Sequence, residues 1–516
     1  MTHRRLTAVL LFLVAPLLRA DAPGVYAITG GTIHPVSGPA IPNGTLLIRQ
    51  GLVEAVGASA SIPADAAVID VKGAHVYPGL IDAQTSLGFA SAKRGDAEPA
   101  PDSLAIRTVK LTEDDADARR ATGVTTILTA PSAGIFNGQS VILNLGTGTA
   151  ESNAVKSPAA LQIAFNPRPT WTYPDSLMGV ISFLRQHFLD AQQHAAARDV
   201  YARAPAGLQR PQDDAALEAL GPVLRRDLPV VFMADSELMM RRAQVLAREF
   251  NLRYILSGAR QGYAMVNDLK DVPLLVSVKW PAAPADKDDR EDQPLRVIRD
   301  RQLAPTTPAA LAKSGATFAL VSGSGKAGDF LPGIRKAIEN GLSADDALRA
   351  TTLTPARIFG IDRQLGSLDR GKIANVIVSD KPLFEKDAKV TRVFVDGREI
   401  RLPKDDKKDD SGAATSSIDA TWSLTVNVPQ GSASIQVMLR AENGRLTGTF
   451  SGDRGSGDIR GGSFDGSACE FTIAATGQNG EESSDWVFRG KISGESMSGT
   501  VSTSLGTFEF SGNKSK

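Results

Sequence analysis

The chain has 516 residues, with 57 Lys and Arg against 57 Asp and Glu, so its formal net charge is zero. That balance offers no basic field to gather phosphates, which argues against a nucleic-acid or polybasic membrane-surface role. One cysteine excludes a disulfide framework and any cysteine-rich zinc or iron–sulfur module, and five histidines are thin stock for a multi-histidine metal site.

Residues 1–20 read as an export leader. His3, Arg4 and Arg5 give a positive start, the 13 residues Leu6–Leu18 are mostly apolar, and Leu18-Arg19-Ala20 offers a small-residue cleavage site. A bilayer span needs about 20 residues, so the mature chain is expected to be periplasmic or extracellular with no transmembrane span. An uncleaved anchor is the alternative. The lone Cys469 reads as a buried small hydrophobe.

From Val25 to Val76 short β-branched runs alternate with glycine turns: Val25–Ile28, Thr45–Ile48 and Leu52–Val56. Asn375–Ser379 and Val390–Val395, the latter ending at the turn Asp396-Gly397, repeat that character far downstream. The two sets can share one β-sandwich, 21–77 with 361–403, if the intervening chain folds by itself. That interval, 78–360, alternates strands with helices. The strands are Val124–Leu128, Ala160–Ala164, Val230–Met233, Tyr254–Leu256, Leu274–Val278 and Phe318–Val321. The helices include Leu177–Arg198, Ser236–Phe250, Pro308–Ser314 and Pro332–Asn340, and Ser343 with Asp346 predicts a capped start for another. The fold class is α/β: a (β/α)8 TIM barrel, with a doubly wound sheet as runner-up. Residues 404–417 (KDDKKDDSGAATSS) read as a linker. Beyond them, 418–516 is an all-β domain, a sandwich or small barrel.

At Pro78 the chain reads PGLIDAQTSLG. This resembles the amidohydrolase superfamily, its imidazolonepropionase-like metal-dependent hydrolases in particular, whose first barrel strand reads P-G-[LF]-I-D-x-H-x-H. The lead-in Ile28–Ile33, Leu52–Gly57 and Val68–Asp70 is similar to that family, as are Ala347–Gly360, Leu365–Asp380 and Val390–Ile400. The resemblance ends near Arg401. It implies a barrel that cleaves non-peptide C–N bonds, amide or cyclic amide, with hydroxide made on one or two divalent ions such as Zn²⁺. It also implies ligands on strands 1, 5, 6 and 8, and often a carboxylated lysine on strand 4.

Those positions hold other residues. Gln84 and Ser86 stand for the strand-1 histidines, Met233 for that of strand 5, Ser257 for that of strand 6, and Gly323, to within a residue, for the strand-8 aspartate. An amide, two hydroxyls, a thioether and a glycine are a poor donor set for zinc. His187 and His194 share a helix about 10 Å apart along its axis, too far for one ion, while His34 and His75 precede the barrel. Metal ligands and cofactors are therefore expected to be absent. Asp82, Asp235 and Glu237 are carboxylates near the mouth, and Asp82 can simply hold its loop.

Gln84, Ser86, Met233, Ser257, Ser322 and Ser324 would line a pocket suited to a small neutral ligand, and Lys279 could enter as a base or amine. The polar tracts Lys93–Asp102 and Pro281–Pro294 would border the same mouth. The leading expectation is an exported, degenerate amidohydrolase, a pseudoenzyme acting by binding. The alternatives are an active hydrolase with an atypical or metal-free site, and a surface protein whose C-terminal β domain captures a protein partner.

Overall fold

The computed structural model describes residues 24–90, 100–168, 172–284, 293–323, 325–402, 418–428, 431–442, 445–452, 455–459, 461–464, 468–475, 484–503 and 506–515. The leader, the linker, Ser324 and most of the tracts at 93–102 and 281–294 lie outside them. Contacts divide the chain into two compact units at Lys404/Asp405. Among the described residues, no helix is long and apolar enough to cross a membrane.

The first unit opens with β1 (Val25–Ile33), β2 (Ile41–Arg49), β3 (Leu52–Gly57), β4 (Ala67–Asp70) and β5 (His75–Pro78). The barrel strands follow as β6 (Leu80–Thr85), β7 (Val124–Thr129), β8 (Phe136–Gln139), β9 (Val141–Asn144), β10 (Ala154–Lys156), β11 (Leu161–Ala164), β12 (Val230–Ala234), β13 (Tyr254–Gly258), β14 (Leu274–Ser277) and β15 (Phe318–Val321). Next come β16 (Val376–Ser379), β17 (Val390–Val395) and β18 (Arg398–Ile400).

The two distant β segments do share one sheet, ordered β18-β17-β16-β5-β1-β2-β3 with β4 beside β1. The join is β16 against β5, with Val376 opposite Pro78 and Ser379 opposite His75. The sheet then curls back on itself. Val53 N–H donates to Lys372 O and Ala374 N–H to Gly51 O, both at 2.8 Å. Ile28, Leu46, Val76, Val376 and Phe394 fill the space this curl encloses. The turn Asp396-Gly397 takes φ of 51° and 70°, as a two-residue hairpin requires, and a Cβ at Gly397 would fall 2.5 Å from Gly51 Cα.

His34 follows β1 and meets His75 of β5, Nε2 to Nδ1 at 3.1 Å, while stacking on Tyr77 at 4.4 Å. Burial and the neighbouring His75 hold the His34 imidazolium below its ordinary range, against a smaller opposing pull from Asp345. The unfolded chain therefore takes up this proton first. Stability should be complete above about pH 6.5 and decline as pH falls from there toward the lowered native value, by up to about 1.4 kcal/mol per pH unit. Urea midpoints at pH 7.5 and 5.5 measure this decline, and His34→Phe, which keeps a ring on Tyr77, should reduce it.

In the barrel, β11, β12, β13, β14 and β15 are parallel neighbours, and β6 is parallel to β7. The third stave departs from the alternation expected of a (β/α)8 barrel. β8 runs antiparallel to β11 and β9 antiparallel to β7, with Ser140 bridging them. No strand was expected here because Asn137, Gly138 and Gln139 interrupt the apolar run. Gly138 has φ 75°, and a Cβ there would come within 2.6 Å of Ser103 O. Inward side chains from alternate positions, among them Ile81, Leu128, Val231, Ile255, Leu275 and Ala319, pack as a separate apolar core inside the ring.

Helices α1 (Glu113–Arg120), α2 (Leu177–Arg203), α3 (Glu237–Glu249), α4 (Leu295–Leu303), α5 (Thr307–Ser314), α6 (Phe330–Glu339), α7 (Ala344–Thr351) and α8 (Leu353–Ile358) accompany the barrel strands. Hydroxyl caps begin several of them. Ser343 Oγ accepts Asp346 N–H at 3.0 Å, as its sequence predicts, and Ser236 Oγ accepts Met239 N–H at 3.3 Å.

The second unit is antiparallel throughout: β19 (Ala420–Val428), β20 (Gly431–Glu442), β21 (Arg445–Gly452), β22 (Gly455–Asp458), β23 (Gly462–Phe464), β24 (Ala468–Ala475), β25 (Ser484–Ser493), β26 (Ser496–Thr503) and β27 (Gly506–Lys514). The ladder order β20-β19-β27-β26-β25-β24-β23-β21, with β21 also pairing β20, closes it into a barrel, with β22 beside β21. Between the sandwich and the barrel left open by the sequence, it is a barrel. Trp422, Val437, Phe471, Phe488 and Val501 fill its interior, and Cys469 is buried with Sγ 3.9 Å from Met497 Sδ.

Candidate functional site

The C-terminal ends of the barrel strands surround a cavity of about 580 Å³, within the range of small-molecule sites. β6 enters it through a bulge. Asp82 stands opposite Ile127 and Thr85 opposite Thr129, so Ala83 and Gln84 together face the single Leu128, and this slip allows Gln84, Thr85 and Ser86 all to border the cavity. Met233 and Ser257 are direct partners across β12 and β13, and both line the wall. Ser277 and Lys279 come from the end of β14, and Gly323 follows β15.

Of the residues singled out in the sequence, six thus converge, Gln84, Ser86, Met233, Ser257, Lys279 and Gly323, while Ser324 lies outside the described residues. Ser322 lies outside this lining. Its neighbours Val321 and Gly323 face inward, and strand alternation turns Ser322 away. The Ser322 N–H donates to Asp82 Oδ1 at 2.9 Å. That bond crosses the seam where β6 and β15 lie side by side without a ladder.

Asp82 is wholly buried, and its Oδ2 accepts from Nη1 of the nearly buried Arg119 at 3.2 Å. Arg119 Nη2 also donates to Gly325 O at 2.7 Å. Burial pushes the Asp82 carboxyl above its usual range, while Arg119 and the Ser322 and Gln84 amides pull it back. Asp82 thus ties β6 to the end of β15 across the seam, where the sequence had offered only that it could hold its loop.

Position 323 has no room for a side chain in this arrangement. Gly323 has φ 61°, and a Cβ there would sit 2.3 Å from Ser277 Oγ. Among the described residues, no three His, Cys, Asp or Glu side chains gather as a group able to hold a metal ion. His187 Nδ1 sits 2.9 Å from Phe183 O, one turn back on α2, and His194 lies beside Glu218.

The charged part of the lining was only partly legible. Asp235 follows β12 and packs over Gly258, where a Cβ would meet its Oδ1 at 2.1 Å. Gly258 and Ala259 both take positive φ, 96° and 42°, and carry the chain round so that Arg260 returns to Asp235 at 3.4 Å. Glycine after a strand was the available signal for this turn. Glu237 instead pairs with Arg241 on α3 and stays out of the lining. Phe165, Met239, Asn137 and Asn166 complete a wall that is part apolar and part amide.

An amidohydrolase from Thermotoga maritima superposes with a TM-score of 0.63 at 23% identity, covering 73% of this chain and 100% of that one. The fold is that of an amidohydrolase. Residues 299–400 match the model of the amidohydrolase family, so the resemblance read from the motifs holds. Adenine deaminases of two Clostridium botulinum strains, Loch Maree and ATCC 19397, are each 36% identical over 64 residues, 12% of this chain. The match spans 10% of the length of those curated relatives.

Proposed function

We propose that this amidohydrolase-fold chain uses its barrel mouth to bind a small molecule and does not carry out metal-dependent hydrolysis. One observation carries the reading: where the resembled family sets imidazoles and a carboxylate, the strand ends bring Gln84, Ser86, Met233, Ser257 and Gly323 to one cavity. Neutral amide, hydroxyl and thioether groups do not fit a catalytic divalent ion, which takes imidazole, thiolate or carboxylate donors. The crowding of position 323 by Ser277 supports the same reading, since an aspartate there would need both to move. Elemental analysis after incubation with Zn²⁺, Mn²⁺ and Fe²⁺ and desalting should find well below one equivalent, roughly a tenth or less, on the occupancy scale of a structural or catalytic site. Retention of one equivalent that is lost on changing Met233 and Ser257 to Ala would overturn it.

A second reading, hydrolysis of an amide or cyclic amide C–N bond at the same mouth without metal, is supported by the family match and by Lys279 in the lining. It requires turnover that survives chelation and falls in Lys279→Ala. Export through residues 1–20 belongs to the same proposal, and capture of a protein partner by the C-terminal barrel is an alternative to it. N-terminal sequencing of the mature chain tests the first, and deletion of Ile418–Lys516 tests the second.

A further inference from the structure

We infer that the ligand of the barrel mouth is a small carboxylate that also carries an amide N–H and a modest apolar body. The inference rests on reading the mouth as a binding site and goes beyond it by naming the ligand class. The sequence alone suggested a neutral ligand, but the folded lining holds two cations, Arg260 and Lys279, against one carboxylate, Asp235. Asp235 is engaged with Nη2 of Arg260. Arg260 Nε is shielded from solvent and donates to no acceptor among the described residues, and Lys279 forms no ion pair among them.

The surroundings favour an anion. α3 begins at the cavity wall, with its cap Ser236 and first-turn Met239 in the lining, so the positive pole of a 13-residue helix opens on the same space. A second polar group of the lining is Gln84. It is 7% exposed, lines the cavity, and its Oε1 accepts no hydrogen bond among the described residues. A buried carbonyl left unmet is costly, and an N–H from the ligand would satisfy it. Met233, Met239 and Phe165 lie in the same wall and offer contact for an apolar body. An N-acylated amino acid has the three required parts.

The test uses the full chain and matched pairs: N-acetyl-alanine, N-acetyl-leucine and N-acetyl-phenylalanine, each against its primary amide, by ligand-observed NMR and calorimetry. At least one acid should bind about ten-fold more tightly than its amide. Lys279→Gln should erase that preference, and Gln84→Leu should weaken acid and amide alike. Melting temperatures establish that both variants fold. Equal binding of acids and amides, or a preference that survives in both Lys279→Gln and Arg260→Gln, overturns the anion assignment and leaves the binding reading standing. No binding by any of the six overturns the assignment. Retention of an equivalent of metal at the mouth would separately overturn the binding reading beneath it.

Discussion

Asp82→Ala should destabilise the first unit by about 3–5 kcal/mol, the cost of removing one partner from a buried ion pair. The substitution leaves the Arg119 guanidinium, 4% exposed, with only the Gly325 carbonyl, and strips the Ser322 N–H of its acceptor. Both losses fall at the seam between β6 and β15, where no ladder shares the load. Asp82→Asn keeps an oxygen for Ser322 N–H and should lose less. A double variant, Asp82→Ala with Arg119→Met, removes the stranded charge and should recover part of the loss. Urea unfolding of the four proteins measures this. A loss below about 1 kcal/mol, the scale of an exposed pair, would show that Asp82 does not hold the seam.

Asn375→Leu should cost about 2–4 kcal/mol, from buried groups left unpaired at roughly 1–3 kcal/mol each. Asn375 is 4% exposed at the entry to β16. Its Nδ2 donates to Thr126 Oγ1 at 3.1 Å and Asn144 Oδ1 at 2.9 Å, and its Oδ1 accepts Asp396 N–H at 2.8 Å. Asn144 Nδ2 closes the circuit on Asp396 Oδ1 at 2.7 Å. One side chain thus ties the returning sheet strand to β7, to β9 and to the β17–β18 turn. Besides the shift in urea midpoint, amide exchange at Asp396 should accelerate, whereas an effect confined to a lost surface contact would leave that amide protected.

Neither network was visible in the chain order. Asp82 and Ser322 are 240 residues apart, and Asn375 and Asn144 are 231 apart. A lone Asn or Asp carries no periodic signal of its own, so its partner is set by how the barrel closes. The antiparallel third stave was missed for a related reason. Its polar residues serve the barrel interior and the chain nearby, as when Gln139 Nε2 donates to Pro101 O at 2.9 Å, and they hide the strand pattern that apolar alternation would show.

By itself the sequence determined the order of the parallel barrel strands and several of the helices between them, the pairing of the two distant β segments in one sheet, and the Asp396-Gly397 turn. These follow from local period, turn chemistry and residue identity, which do not depend on what lies across the fold. Only the tertiary structure decided that Arg260 returns to Asp235, that Gln84 Oε1 has no hydrogen-bond partner among the described residues, that Ser277 occupies the space of a side chain at 323, and that His34 meets His75. Those facts depend on bulges, left-handed residues and barrel closure, where single backbone angles set which distant groups come within hydrogen-bonding reach.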